Sequence, residues 1–111
     1  MSDTNPIGVY KPDNLYAGGF PESRDTRTIP AGIAVKRGAI LDIDSKPIES
    51  GGTVDCIALD NIDAASEKRV CAVSETGEFN INALSTGDAT TPESWKRDLR
   101  GLCILLRHPA P

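Results

Sequence analysis

Aromatic residues are scarce in this chain, at 5% of its 111 positions. A core built from it has to be aliphatic, so each aromatic side chain matters by where it stands. Histidine occurs once, as His108, in a C-terminal tail broken by Pro109. A general base needs a positioned, partly enclosed site, and a solvated tail offers none. Cysteine occurs three times, as Cys56, Cys71 and Cys103. The odd count rules out complete disulfide pairing, and no Cys-x-x-Cys spacing is present to hold a metal. All three lie in apolar, strand-like runs, so buried reduced thiols are expected, with no metal and no cofactor. No apolar run approaches the roughly 18 residues of a membrane span. The N-terminus has neither the basic start nor the apolar stretch of a secretory signal, so a cytosol-like site of synthesis is expected. Basic residues are in the minority, 12 Lys and Arg against 16 Asp and Glu, for a formal charge of −4. That balance argues against a nucleic-acid partner, because phosphate binding needs a basic face. The pairs Lys36-Arg37, Lys68-Arg69 and Lys96-Arg97 are scattered and are expected to be solvated.

What the chain does have is strand patterning, most clearly over residues 70–83. Val70, Ala72 and Ser74 share one parity, Cys71 and Val73 the other. Beyond Glu75-Thr76-Gly77, Phe79 and Ile81 alternate with Glu78, Asn80 and Asn82. Period two on both sides of a short glycine-containing link predicts a β-hairpin turning at Gly77, with Val73, Gly77, Phe79 and Ile81 as its core set. Further extended pieces are predicted at 33–35, 39–43 and 54–59, separated by turn-forming residues at 36–38, 44–47 and 50–53. A polar loop, 60–67, precedes the hairpin.

After the hairpin, Thr90 stands three residues before Glu93 in a capping-box pattern, and Pro92 suits a first helical turn. Trp95 and Leu99 are spaced to share one face. Cations near the end and Gly101 beyond it complete a helix predicted over 92–100, packed through Trp95 and Leu99. Residues 102–106 predict a last strand, apolar on both faces and therefore central. The fold class is mainly β (α+β): a small β-rich domain over 29–111, one short helix near the C-terminus, and an extended N-terminal arm over 1–28.

The arm has no persistent period and carries Pro6, Pro12, Pro21 and Gly18-Gly19. Yet Ile7, Val9, Tyr10, Leu15, Tyr16 and Phe20 are spread along it, including both tyrosines. A disordered tail is normally poor in such residues. Two readings stand: a flexible terminus with a few residues packed on its own domain, or an arm that docks on another chain's sheet edge. Since turn and strand chemistry starts only near Ile29, the domain is expected to fold without 1–28.

The polar motifs point to no reaction. Asp42 with Asp44, and Asp60 with Asp63, sit at strand-end turns where aspartate serves backbone hydrogen bonding, and they lack the calcium-loop pattern. Gly51-Gly52 is followed by no Lys-Ser/Thr and no helix, so it is not a phosphate loop.

Taken in order, these pieces resemble a known family. The run from Ala34 through Lys36-Arg37-Gly38 to Leu41 is similar to the first strand of lambda-type head decoration proteins of tailed phages. A Gly-rich turn, Cys56-Ile57-Ala58-Leu59 and an Asp/Ala-rich loop follow. Next come Val70-Cys71-Ala72-Val73 and Gly77-Glu78-Phe79-Asn80, the latter similar to the family's Gly-x-Phe motif. A polar helix with Lys96-Arg97 then leads to Leu99-Arg100-Gly101-Leu102-Cys103-Ile104. The resemblance spans about residues 30–106. The arm matches in character only, and the three cysteines and the tail 107–111 have no counterpart. The resemblance implies a structural virion protein, not an enzyme. Trimers would bind the outside of the expanded capsid, with the arm reaching onto the major capsid protein. Two other readings remain: a tail-associated virion protein with a similar β-domain, and a small bacterial enzyme or metal-binding domain.

Overall fold

The computed structural model describes residues 14–108 apart from Ala65 and Ala89. Its strands are β1 (Ser23–Ile29), β2 (Ile33–Val35), β3 (Ile40–Asp42), β4 (Val54–Ala58), β5 (Ile62–Ala64), β6 (Arg69–Asn80) and β7 (Ile104–Arg107). A 3-10 turn over Pro92–Trp95 runs into the short helix α1 (Lys96–Arg100). The chain is mainly β with one short helical segment near its C-terminus, as the patterning predicts.

Strand β6 organises the main sheet, whose order is β1-β6-β4-β3. β1 runs antiparallel along one edge of β6, and β4 antiparallel along the other. Further along, Phe79 bridges Tyr16 on the first edge and Leu106 of β7 on the second. β7 is parallel to β6, which the connection through α1 makes possible. A second, two-stranded sheet pairs β2 with β5.

The expected hairpin is not formed, because residues 69–80 are one continuous strand. Glu75 is an extra residue within it: Ser23 pairs with Thr76 and Arg24 with Ser74, leaving Glu75 without an opposite number. Such a bulge shifts the side-chain alternation by one. Cys71 and Val73 therefore join one buried cluster while Phe79, of the same parity, joins the other. Gly77 completes the irregularity at φ 148°, and a Cβ there would come within 3.0 Å of the Phe79 ring. Glycine is the residue that meets both conditions without strain. A polar, glycine-bearing break between alternating runs is common to a turn and to a bulge; the partners β1, β4 and β7 select the bulge.

β4 is bulged too. Leu41 pairs with Cys56 and Asp42 with Val54, so Asp55 is its extra residue. Both bulged residues aim their carboxylates at Arg27 of β1: Nε lies 2.8 Å from Asp55 Oδ2 and Nη2 lies 2.6 Å from Glu75 Oε2. Asp55 first and Glu75 second hold that guanidinium more firmly charged than usual. The ion triad ties β1, β6 and β4 together across the irregular part of the sheet.

The sheet is apolar on both faces. One face carries Ile40, Ile57, Phe79, Ile104 and Leu106 against Trp95 and Leu99. The other carries Ile29, Leu41, Cys56, Cys71 and Val73 against Val35 and Ala64 of the small sheet. β4 places Val54 and Ile57 on the first face and Cys56 and Ala58 on the second, and β3 likewise divides Ile40 from Leu41. β7, predicted as central, pairs with β6 alone among the described residues, and its Leu105 is only half-buried.

Trp95 and Leu99 are both buried, as their spacing predicts. The capping box is not made. Thr91 is the N-cap without a side-chain bond, while the Thr90 hydroxyl donates to Asp88 and accepts from the Trp95 indole N–H at 3.2 Å. The helix end differs as well. Gly101 keeps a right-handed φ of −63°, and Cys103 takes the left-handed turn position at φ 65°.

Candidate functional site

The boundary expected at residue 28 falls inside β1. The chain lies against β6 from Leu15 onward, running antiparallel to it. Asn80 N–H donates to Leu15 O at 2.8 Å, Ala17 N–H donates to Glu78 O at 3.0 Å, and β1 continues the line to Ile29. The segment thus adds a strand to a sheet edge, as expected for an arm, but the edge is its own domain's. The reason is side-chain placement. Leu15 is 2% exposed within the main cluster, and the Tyr16 ring packs on Phe79 at 5.3 Å between centroids. Packing on the chain's own domain is one of the two readings of the sequence; the strand itself is not legible there because Gly and Pro break the periodicity between Leu15 and Ser23.

Polar contacts fasten the same segment. Thr76 Oγ1 accepts from Ser23 N–H at 2.9 Å and donates to Pro21 O at 3.0 Å. Glu78 spans both ends of the chain: Oε1 accepts from Phe20 N–H at 3.2 Å and Oε2 from Arg107 Nε at 2.7 Å. Arg107 foremost, then the Phe20 amide, holds the Glu78 carboxyl below its ordinary range. Tyr16 donates to Glu22 Oε2 at 2.7 Å, and the Arg37 guanidinium sits 5.9 Å from its ring centroid.

Of the residues expected to contact a partner, Leu15 is committed to the core. Tyr16 and Phe20 keep 36% and 38% of their surface exposed. Ile7, Val9 and Tyr10 lie outside the described residues. Val73, Phe79 and Ile81 are buried in the domain, and Gly77 is buried beneath the Phe79 ring.

The titratable groups hold the structure together. Asp42 Oδ1 accepts from the N–H groups of Asp44 and Lys46, and Asp60 Oδ2 from Ala72 N–H, so these aspartates close turns and cap strands. Asp88 accepts from Ser50 and Thr90, and bonds from Thr90 above all lower its pKa to about 2. His108 Nε2 lies 2.9 Å from Glu93 Oε1 on the surface. Among the described residues no group of three or more His, Cys, Asp or Glu converges as a metal site would. No helix among them is long and apolar enough to cross a membrane.

The cysteines divide differently from expectation. Cys56 and Cys71 are buried, and burial foremost pushes both thiols up, away from the reactive thiolate. Cys103 is exposed in the turn before β7. A thiol-specific chromophore added to native protein is expected to label Cys103 alone, with Cys56 and Cys71 reacting only after denaturation. Labelling of all three under native conditions would contradict the burial.

No family model matches the chain, and a search of curated proteins returns no match.

Proposed function

We propose that this chain is a head decoration protein of a tailed phage: a structural virion protein that binds the outer surface of the expanded capsid as trimers and stabilises it. The observation that carries the reading is the N-terminal segment. Its described part lies along the sheet edge from Leu15 onward, with Tyr16 and Phe20 partly exposed. The preceding sequence adds Ile7, Val9 and Tyr10, apolar side chains suited to pockets on a partner. The order of sequence pieces resembling the decoration family over residues 30–106 supports the same reading.

The mechanism is linkage. A protein that binds the expanded shell and not its precursor stabilises that shell by mass action. Ordering an arm costs about 1–2 kcal/mol per residue fixed, which keeps a single arm's binding modest. Trimerisation offsets this by raising the effective concentration of the second and third arms. The partners are the major capsid protein and two further copies of the chain; the site of action is the outside of the virion.

The test is addition of purified protein to expanded heads that lack decoration, beside a variant without residues 1–13. Full-length protein is expected to decorate. The truncated protein is expected to keep its circular dichroism spectrum and to bind at least about tenfold more weakly, as loss of apolar anchor residues does. Full-length protein that ignores expanded heads would overturn the reading. A truncated protein that decorates at full affinity would move the contact onto the β-domain.

A further inference from the structure

The small sheet has one unpaired edge. Among the described residues β2 pairs with β5 alone. Gly32 N–H donates to Ala64 O at 2.6 Å, so the Ala64 carbonyl faces β2 and its partner Ile33 stands at a hydrogen-bonding position. Val35, two residues on, faces β5 as well, and Ala34 between them turns its N–H and C=O the other way. Ala34 is exposed, and among the described residues no hydrogen bond meets its backbone on that side.

A groove runs along this open edge. One hollow of about 330 Å³ reaches Glu49, and a second of about 310 Å³ reaches Lys36 and Ala39. Both are lined by Ala34, Pro47 and Gly87, which makes them continuous. The wall opposite β2 is tied together: Gly87 N–H donates to Ile48 O at 2.7 Å, and Ser50 N–H to Asp88 Oδ2 at 2.9 Å. The groove is therefore formed before anything enters it.

The described chain starts at one end of this groove. β2 runs into a turn at 36–38, and there a Cβ on Gly38 would stand 3.5 Å from Leu15 Cδ1. The Arg37 guanidinium of the same turn sits over the Tyr16 ring at 5.9 Å. Asn14 bends the chain with a left-handed φ of 58°. In the sequence before it, Ile7-Gly8-Val9-Tyr10-Lys11 stands between Pro6 and Pro12. β-Branched and aromatic residues bounded by prolines suit a short edge strand, since the missing N–H groups then lie outside the paired part. From Leu15 back to Lys11 is about 13 Å of extended chain, while Ala34 is only about 7 Å of strand before the turn. The segment is long enough to reach the open edge.

We propose that residues 7–11 dock in this groove of their own chain and add to β2 as a third strand of the small sheet. Main-chain bonds to Ala34 hold the segment. Tyr10 enters the hollow with its ring on Ala34 and Pro47 and its hydroxyl toward water, and Gly8 on the same side leaves it room. The proposal is independent of the capsid reading. Shell binding would have to lift the segment from its groove, but the test is made on free protein, so either can fail alone.

Amide exchange is followed by nuclear magnetic resonance on the full chain at low and high concentration, beside Tyr10→Ala and a chain without residues 1–13. The Ala34 amide is expected to exchange at least about tenfold slower in the full chain than in the truncated one, with Tyr10→Ala between them, because a docked strand protects its partner's N–H. The Val35 amide, which faces β5, is the folding control and should keep its rate throughout. A nuclear Overhauser contact between the Tyr10 ring and the Ala34 methyl is expected in the full chain. Ala34 exchange as fast in the full chain as in Tyr10→Ala would overturn the proposal, even if the truncated chain failed the folding control. Protection of Ala34 that grows with concentration would overturn it too, by making a second copy's segment the occupant.

Discussion

Replacing Phe79 with alanine is expected to lower the unfolding free energy by about 3–5 kcal/mol, the range for truncating a buried phenylalanine. The ring is 0% exposed and lies where the N-terminal segment, β6 and β7 meet. It packs with Leu15, Ile104 and Leu106, and carries the Tyr16 ring at 5.3 Å between centroids. Neighbours on both edges of β6 are fixed by backbone ladders, so they cannot easily collapse into the space left behind. Partial relaxation of that kind is what makes large-to-small changes costly. For a domain with a total stability of about 5–15 kcal/mol, the loss is large enough to shift a urea transition strongly. Phe20→Ala is the control: at 38% exposure it should change stability by no more than about 1 kcal/mol. Equal effects from the two substitutions would show that Phe79 is not the core residue its burial makes it.

The same residue shows how much the sequence reveals. Its parity with Ile81 identifies a core position without any structure, and both side chains are buried. Parity alone does not reveal that Cys71 and Val73 face the opposite cluster, because the one-residue bulge at Glu75 intervenes. A bulge and a turn draw on the same local residues, and distant strands decide between them. The helix is legible for a different reason: Trp95 and Leu99 carry a strong local signal and its bounds are short-range. Its caps are not legible, since Thr90 is drawn off by Asp88 and Trp95. β7 reads as central because Leu102 to Leu106 are apolar throughout. Leu102, at 41% exposure, lies instead in the turn before the strand.

The candidate surface is the least legible part. Leu15, Tyr16 and Phe20 look alike in sequence, three apolar residues in a Gly- and Pro-broken stretch. The structure separates them by burial alone, one committed to the core and two half-exposed. Nothing local encodes that difference, because it depends on where Asn80 and Glu78 place their backbone groups.

Deleting residues 1–28 is expected to unfold the domain, whereas deleting 1–13 is expected to leave it folded. The sequence suggests a core independent of all 28; the structure builds Leu15 and β1 into that core and its sheet. Removing 14–28 takes away Leu15 from the main cluster, at about 2–5 kcal/mol for a buried leucine. It also strips β1 from its register with β6 between Ser23 and Thr28. Each ladder hydrogen bond contributes about 0.5–1.5 kcal/mol, and the bared edge of β6 becomes a template for aggregation. Arg27 goes as well, leaving Asp55 and Glu75 side by side without the cation that joins them. These losses together reach the whole stability of a typical domain, about 5–15 kcal/mol. The check is a thermal melt followed by circular dichroism on both truncations. The shorter deletion should melt cooperatively, close to the full chain. The longer one should show no cooperative transition, or should precipitate. A cooperative melt of the 1–28 deletion near the full-length temperature would mean that β1 and Leu15 are dispensable. The N-terminal segment would then be a detachable arm out to Ile29, free to leave its own sheet for a partner's.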